Sequence, residues 1–327
     1  MASAPITVER VGFSRRTRQF IQQLRHGDEV AHLITLLAAS SIIVVTVMLV
    51  YQLYINSALP RHKFGFGFFV GRTWDPVSGD FGALPFIYGT VASSALALLV
   101  AVPLGVGAAI FLSELAPSRI SNSLTFVIEL LAAVPSVIYG LLGIFILVPV
   151  LRKVVEPFLK STLGFLFLFQ GPMYGVGMLA GGLVLAVMIV PFIISVSREV
   201  LLAVPVEQRE AALALGATKW ESTWQVVVPF ARVGIMASVF LALARALGET
   251  MAVTMVIGND PKISASLFAP AYSIAAVIAN EFTEATGDLY LQALIELGLV
   301  LFLLTILING LARLVIIATT QKGTQAQ

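Results

Sequence analysis

Six long apolar runs, at about 31–55, 85–113, 122–150, 175–197, 232–257 and 289–317, leave this chain few ways to fold. A bilayer core takes about 20 apolar residues per helical crossing, so each run suits one passage through a membrane. Backbone polar groups in hydrocarbon must be satisfied within the segment itself, which makes each run a helix. The expected fold class is therefore an all-α integral membrane protein with six transmembrane helices. Composition agrees, because the chain is 58% hydrophobic and 12% charged, whereas soluble domains carry about 25% charge. Glycine and proline recur inside the runs (Pro103, Gly105, Gly107, Pro135, Gly140, Gly181, Gly182, Pro191), which predicts kinked, closely packed helices.

Several function classes are excluded by what is missing or thinly spread. A net charge of +2, with basic residues scattered over short loops, gives no nucleic-acid footprint. With no cysteine, disulfides, thiolate chemistry and cysteine-ligated metals are ruled out. His26, His32 and His62 are not spaced to share a metal, so neither a metal nor a cofactor is expected. A P-loop needs Gly-x4-Gly-Lys-Ser/Thr, and here the Lys160-Ser161 pair follows Leu159. The chain is thus no enzyme, and any ATP would be hydrolysed by a partner.

Orientation follows from lysine and arginine placement. With the amino terminus inside, twelve of these residues face the cytoplasm and seven face outward, Arg245 being set apart within a span. Both termini are then cytoplasmic. The expected organisation is a basic cytoplasmic tail at 1–30, a six-helix permease domain at 31–317 and a short cytoplasmic tail at 318–327. The segment 56–84, rich in glycine and aromatics, is expected to fold over the outer mouth.

Between the fourth and fifth runs lies a polar segment, 198–231, that reads as two helices around a tight turn. Pro205 suits the first position of a helix, and Gly216 suits the left-handed residue that ends one. Thr218-Lys219-Trp220-Glu221 has the form of a capping box, starting a second helix with Trp220 and Trp224 on one face. Glu210, Ala211 and Ala212 would form a smooth ledge with one carboxylate, suited to another protein's groove. The plainer reading is an amphipathic hairpin lying on the membrane and anchored by its tryptophans.

Two charges fall inside the fifth run, where a lone charge costs about 2.5–3.5 kcal/mol on insertion scales. Arg245 and Glu249, spaced i and i+4, would share a helix face and could pair. Arg245 lies about 20 Å along the helix from Arg232, at mid-depth. One reading is a neutralised pair that fixes packing. The other is an anion contact, because a guanidinium can grip two oxygens of an oxyanion at once. Glu129 and Glu296, about two turns into the third and sixth runs, receive no role.

The spacing Glu210-Ala211-Ala212-x3-Gly216-x9-Val226-x-Val228-Pro229 resembles the coupling loop of permease subunits in binding-protein-dependent ABC importers, with valines at two positions where that pattern has isoleucine and leucine. Further stretches, Ile128-Glu129-Leu130-Leu131-Ala132-Ala133-Val134-Pro135-Ser136 and Arg245-Ala246-Leu247-Gly248-Glu249-Thr250-Met251-Ala252 among them, are similar to the C-type permease of phosphate-specific importers, and the match covers about 30 to 316. The resemblance implies a type I ABC importer permease fold of the MetI-like kind in a bacterial inner membrane. It also implies an A-type permease as heterodimer partner, two ATPase subunits and an extracytoplasmic phosphate-binding protein. Glu210, Ala211, Ala212, Gly216 and Pro229 would couple to the ATPase, while Arg245 and Glu249 would serve phosphate translocation. Three other readings remain open on the residues: a permease for another oxyanion such as sulfate or molybdate, a secondary transporter with Glu249 as proton relay, and a membrane scaffold or sensor.

Overall fold

A computed structural model describes the backbone of residues 15–324 and side-chain surroundings from 31 to 314. The basic stretch before Arg15 and the last three residues of the carboxy-terminal tail lie outside the described residues. The chain divides into two compact units, Met1–Ile55 and Asn56–Gln327. The first contains helix α1, Arg15–Ile55, whose Ala31–Ile55 portion has a mean hydropathy of 2.7.

The second unit is built from α2 (Ala58–Phe64), α3 (Gly67–Val70), a two-stranded hairpin of β1 (Trp74–Asp75) and β2 (Asp80–Phe81), and the helices that follow. These are α4 (Leu84–Leu115), α5 (Ser118–Ala132), α6 (Ser136–Leu163), α7 (Met178–Leu202), α8 (Val206–Ala214) and α9 (Lys219–Leu247). The short α10 (Met251–Thr254), then α11 (Ile274–Glu281) and α12 (Asp288–Thr324), complete it. Among the described residues six helices are long and apolar enough to cross a membrane: α1, α4, α6, α7, α9 and α12.

Helix α4 organises the core, because it contributes to three buried clusters in turn. Near its start, Phe86 packs with Phe68, Phe81, Tyr272, Ile274 and Leu294. Midway, Ala97 and Ala101 meet Leu185, Ile189 and Ile193 of α7 and Ala242 of α9. Toward its end, Ile110 and Leu112 pack with Leu201, Val227 and Ile235. In lipid no hydrophobic force draws helices together, so close van der Waals contact between small residues has to do so. Gly182 supplies such contact, for a Cβ there would come within 2.5 Å of Leu96 Cδ2. A buried hydroxyl contact, Ser197 Oγ to Ser238 Oγ at 2.7 Å, ties α7 to α9.

The hairpin and its flanking helices fold over the end where α4 begins. Ala83 N–H donates to Phe68 O at 2.7 Å, and Trp74 Nε1 and Tyr290 OH both donate to Glu281 Oε2, at 2.8 and 2.7 Å. Trp74 lies edge-on to Phe81 and to Phe86, each with ring centroids 4.8 Å apart. The 255–273 segment closes on the same end through Tyr88 OH to Ser264 O, 2.6 Å, while Ile274 N–H donates to Thr90 Oγ1 at 2.9 Å.

Two spans differ from expectation. The third is α6, Ser136–Leu163, rather than 122–150, and α5 precedes it as a separate helix. Pro135 has no N–H and disfavours helical backbone at Val134, so the apolar run bends there without a change in polarity. Tyr139 OH bridges the bend by donating to Leu131 O at 2.7 Å. Arg152 and Lys153 consequently lie inside a helix, on a π-helical turn at Leu151–Val155, and not in a loop. The fifth span also starts earlier and stops sooner, at Lys219–Leu247 instead of 232–257. Gly248, a poor helix former, follows its last residue, and the chain resumes helix only at Met251.

Candidate functional site

The polar hairpin forms as the sequence indicates, one residue apart in its start. Pro205 is the N-cap of α8 with φ −55° and ψ 137°, and helix begins at Val206. Gly216 takes φ +88° with no atom within 4 Å of a Cβ built there, so the turn requires glycine for its backbone alone. Ala217 N–H donates back to Ala212 O at 3.2 Å, closing the end of α8. The capping box is complete: Glu221 N–H donates to Thr218 Oγ1 at 3.3 Å, and Thr218 N–H to Glu221 Oε2 at 2.8 Å. Trp220 and Trp224 lie on one face with centroids 5.5 Å apart.

Of the ledge residues, Glu210 and Ala211 are exposed, whereas Ala212 turns inward at 8% exposure. The available surface is therefore narrower than three residues in a row. Pro229 sits exposed in the first turn after a π-helical turn at Thr223–Val227. That turn does not interrupt the helix, so α9 is one rod from the hairpin to Leu247.

Arg209, one of the twelve basic residues that the charge count assigns to the cytoplasmic side, has the most extensive side-chain bonding in the hairpin. Its Nε and Nη2 grip Glu114 Oε2 and Oε1 at 3.1 and 2.9 Å. Nη2 also donates to Leu201 O at 2.7 Å, and Nη1 donates to Val204 O. Helix ends leave carbonyls without intrahelical partners, and a guanidinium there satisfies them while opposing the helix dipole. Glu114 stands on the π-helical turn Phe111–Leu115 that ends α4. The signal that could have found this pair is faint, since its members are 95 residues apart.

At the other end of α9, Arg245 occupies the last turn, exposed, with Cζ 6.0 Å from the Phe192 ring centroid of α7. Glu249 does not share its helix face, because the helix ends between them. Instead Glu249 is half-buried and its Oε1 accepts from Ala252 N–H at 3.2 Å. Among the described residues no ion pair joins Arg245 to Glu249. The expected pairing is thus replaced by separate compensation: the cation stands at a helix C-terminus and the carboxylate binds the backbone at the start of the next helix. That leaves the guanidinium fork unengaged by a carboxylate and able to receive an oxyanion.

Glu296 is buried at 1% exposure with Oε2 3.7 Å from Arg61 Nη1 of α2, so it helps seat α2 against α12. Glu129 is exposed on α5. A groove of about 870 Å³ between α4 and α9 is lined by apolar side chains, Val106, Ile110, Trp224, Ile235 and Phe240 among them, and offers an anion no charged partner. Among the described residues no cluster of metal-ligating side chains occurs.

Known proteins resemble the chain at every level. The family of binding-protein-dependent transport system inner membrane components matches residues 101–318. A phosphate transport system permease protein PstC of Mesorhizobium japonicum is 49% identical over 88% of this chain and 89% of its own length. The protein of that name from Haemophilus influenzae is 46% identical over 88% and 93%. A probable phosphate transport system permease protein PstC of Methanocaldococcus jannaschii is 35% identical over 90% and 95%. Among solved structures, a bacterial alginate ABC transporter, in complex with a periplasmic protein carrying an alginate pentasaccharide, has a chain with TM-score 0.57, 17% identity, and coverage of 90% of this chain and 96% of its own. The MetNI methionine ABC transporter in an inward-facing conformation gives 0.53 and 16%, covering 72% and 94%. These likenesses show the fold, that of ABC importer permeases.

Proposed function

The chain belongs to the family of binding-protein-dependent transport system inner membrane components, and on that premise we propose that it is the phosphate permease subunit of an ATP-driven importer. It is a multi-pass inner membrane protein and a transporter component, while a separate subunit hydrolyses ATP. The near full-length identity to relatives named as phosphate permeases carries the substrate assignment.

In this reading the chain supplies half of the pathway and an A-type permease the other half, with two ATPase subunits below and a phosphate-binding protein outside. Both termini are cytoplasmic, which places α8 where the ATPase stands. Glu210 and Ala211 face the ATPase, with Ala212, Gly216 and Pro229 shaping the hairpin behind them. The mechanism rests on the continuity of α9. Lys219 at its start and Arg245 in its last turn are about 39 Å apart along one helix, so a push on the hairpin moves the arginine as part of a rigid body. Arg245 grips the phosphate oxygens with charge-assisted hydrogen bonds. Glu249, bound to Ala252 N–H instead of to the guanidinium, leaves that grip unopposed.

The test is ATP-dependent uptake of labelled phosphate into vesicles holding the complete importer, with binding protein outside and sulfate in excess. Wild-type uptake ignores sulfate, and Arg245→Gln lowers uptake at least about 30-fold, the equivalent of about 2 kcal/mol, while the complex stays assembled. Competition by sulfate would reassign the anion. Normal uptake by the variant would make Arg245 a packing residue, and uptake driven by a proton gradient without ATP would favour a secondary transporter.

A further inference from the structure

Helix α8 is joined to α7 only through Ala203, Val204 and Pro205, a link of three residues that would act as a hinge. A hinge at that point would let a motor's push move α8 and α9 without carrying α4 and α7 along. The geometry points to Arg209 and Glu114 as the clamp that locks this hinge and so makes the stroke of the ATPase productive. This rests on the reading of α8 as the docking helix.

The clamp crosses the hinge on both sides. Arg209 projects from α8 and holds the carbonyls of Leu201 and Val204, one at the end of α7 and one within the link. Its other bonds reach Glu114 at the end of α4. Helices α4 and α7 already pack as one body through Gly182 against Leu96 and through their shared clusters, so the guanidinium fastens α8 to that body at Glu114 and Leu201 and holds the link between them at Val204. The pair is shielded, with side-chain exposures of 19% and 9%, and a buried, bidentate pair holds its geometry far better than a solvated one. Glu210 and Ala211 are exposed on the same helix, so docking and clamping use different side chains. Arg209 is accordingly a positioning residue for transport and does not touch the anion.

The decisive experiment uses the reconstituted importer, isolated through a tag on the ATPase so that only assembled complex is assayed, and measures phosphate taken up per ATP hydrolysed. Glu114→Gln and Arg209→Lys each keep side-chain size while weakening the fork. The uptake-to-hydrolysis ratio should fall at least tenfold in both while hydrolysis stays within about twofold of wild type. The chain has no cysteine, so Glu114→Cys with Arg209→Cys can be bridged by a short bifunctional maleimide, which should raise the ratio at least fivefold. This pair supplies the measurement if either single variant yields no complex. A wild-type ratio in the single variants, or a ratio that bridging leaves unchanged, overturns the proposal. If Glu210→Lys with Ala211→Arg leaves the ATPase bound, the docking reading itself fails, whichever way the clamp variants behave.

Discussion

Gly182 has no Cβ, and the Leu96 side chain of α4 packs into the space this leaves on the α7 backbone. Replacement by alanine would drive a methyl group within 2.5 Å of Leu96 Cδ2 and 3.0 Å of its Cβ, so rotation of the leucine tip alone gives no relief. Overpacking of this kind costs about 1–3 kcal/mol. Gly182→Ala should therefore lower the midpoint of thermal unfolding of the detergent-purified complex, while Gly310→Ala, where a Cβ meets nothing within 4 Å and alanine favours the helix, should show no such loss. Single residues of the candidate site were legible to very different degrees. Gly216 and the Thr218–Glu221 box could be read because local backbone chemistry dictates them, and Arg245 because a charge in an apolar run demands a reason. The Arg209–Glu114 clamp could not, since nothing local marks two charges 95 residues apart as partners.

Elements were readable where polarity changes and obscure where only backbone geometry does. The six spans follow from apolar length, whereas the breaks at Pro135 and Gly248 interrupt runs that stay apolar on both sides. For the same reason Arg245 and Glu249 look like an i,i+4 pair on paper and are parted in the fold. The β1–β2 hairpin gives a test at this scale. Ser78 Oγ and Val77 N–H both donate to the Asp75 carboxylate, at 2.8 and 2.9 Å, and in that order they hold it below its usual value of 3.8. A carboxylate whose folded-state pKa is depressed stabilises the fold above its unfolded pKa and loses that contribution as pH falls through the folded value. Protection of the Val77 amide, measured as hydrogen exchange relative to the intrinsic rate, should thus persist as pH drops to 3.8 and disappear only on further acidification. Asp75→Ala should remove the protection at neutral pH.

For the molecule as a whole, orientation is open to a direct measurement because cysteine is absent from the chain. Val77, 97% exposed in the hairpin, and Leu215, 90% exposed beside the α8 turn, stand at opposite ends. Single cysteines at these sites should react with an impermeant maleimide from opposite faces of right-side-out vesicles, position 77 from outside and position 215 only after permeabilisation. Labelling of position 215 from outside would invert the assignment and separate α8 from the cytoplasmic ATPase. The exposed position of Arg245 also bears on the life of the subunit before it joins an importer. In a single copy that guanidinium is exposed in the last turn of α9 with no carboxylate paired to it among the described residues, so it must reach for water or lipid headgroups, and the proposed partner permease would relieve that demand by completing the pathway around it. On that reading a complete importer would satisfy this charge better than a surplus subunit does, without any separate signal.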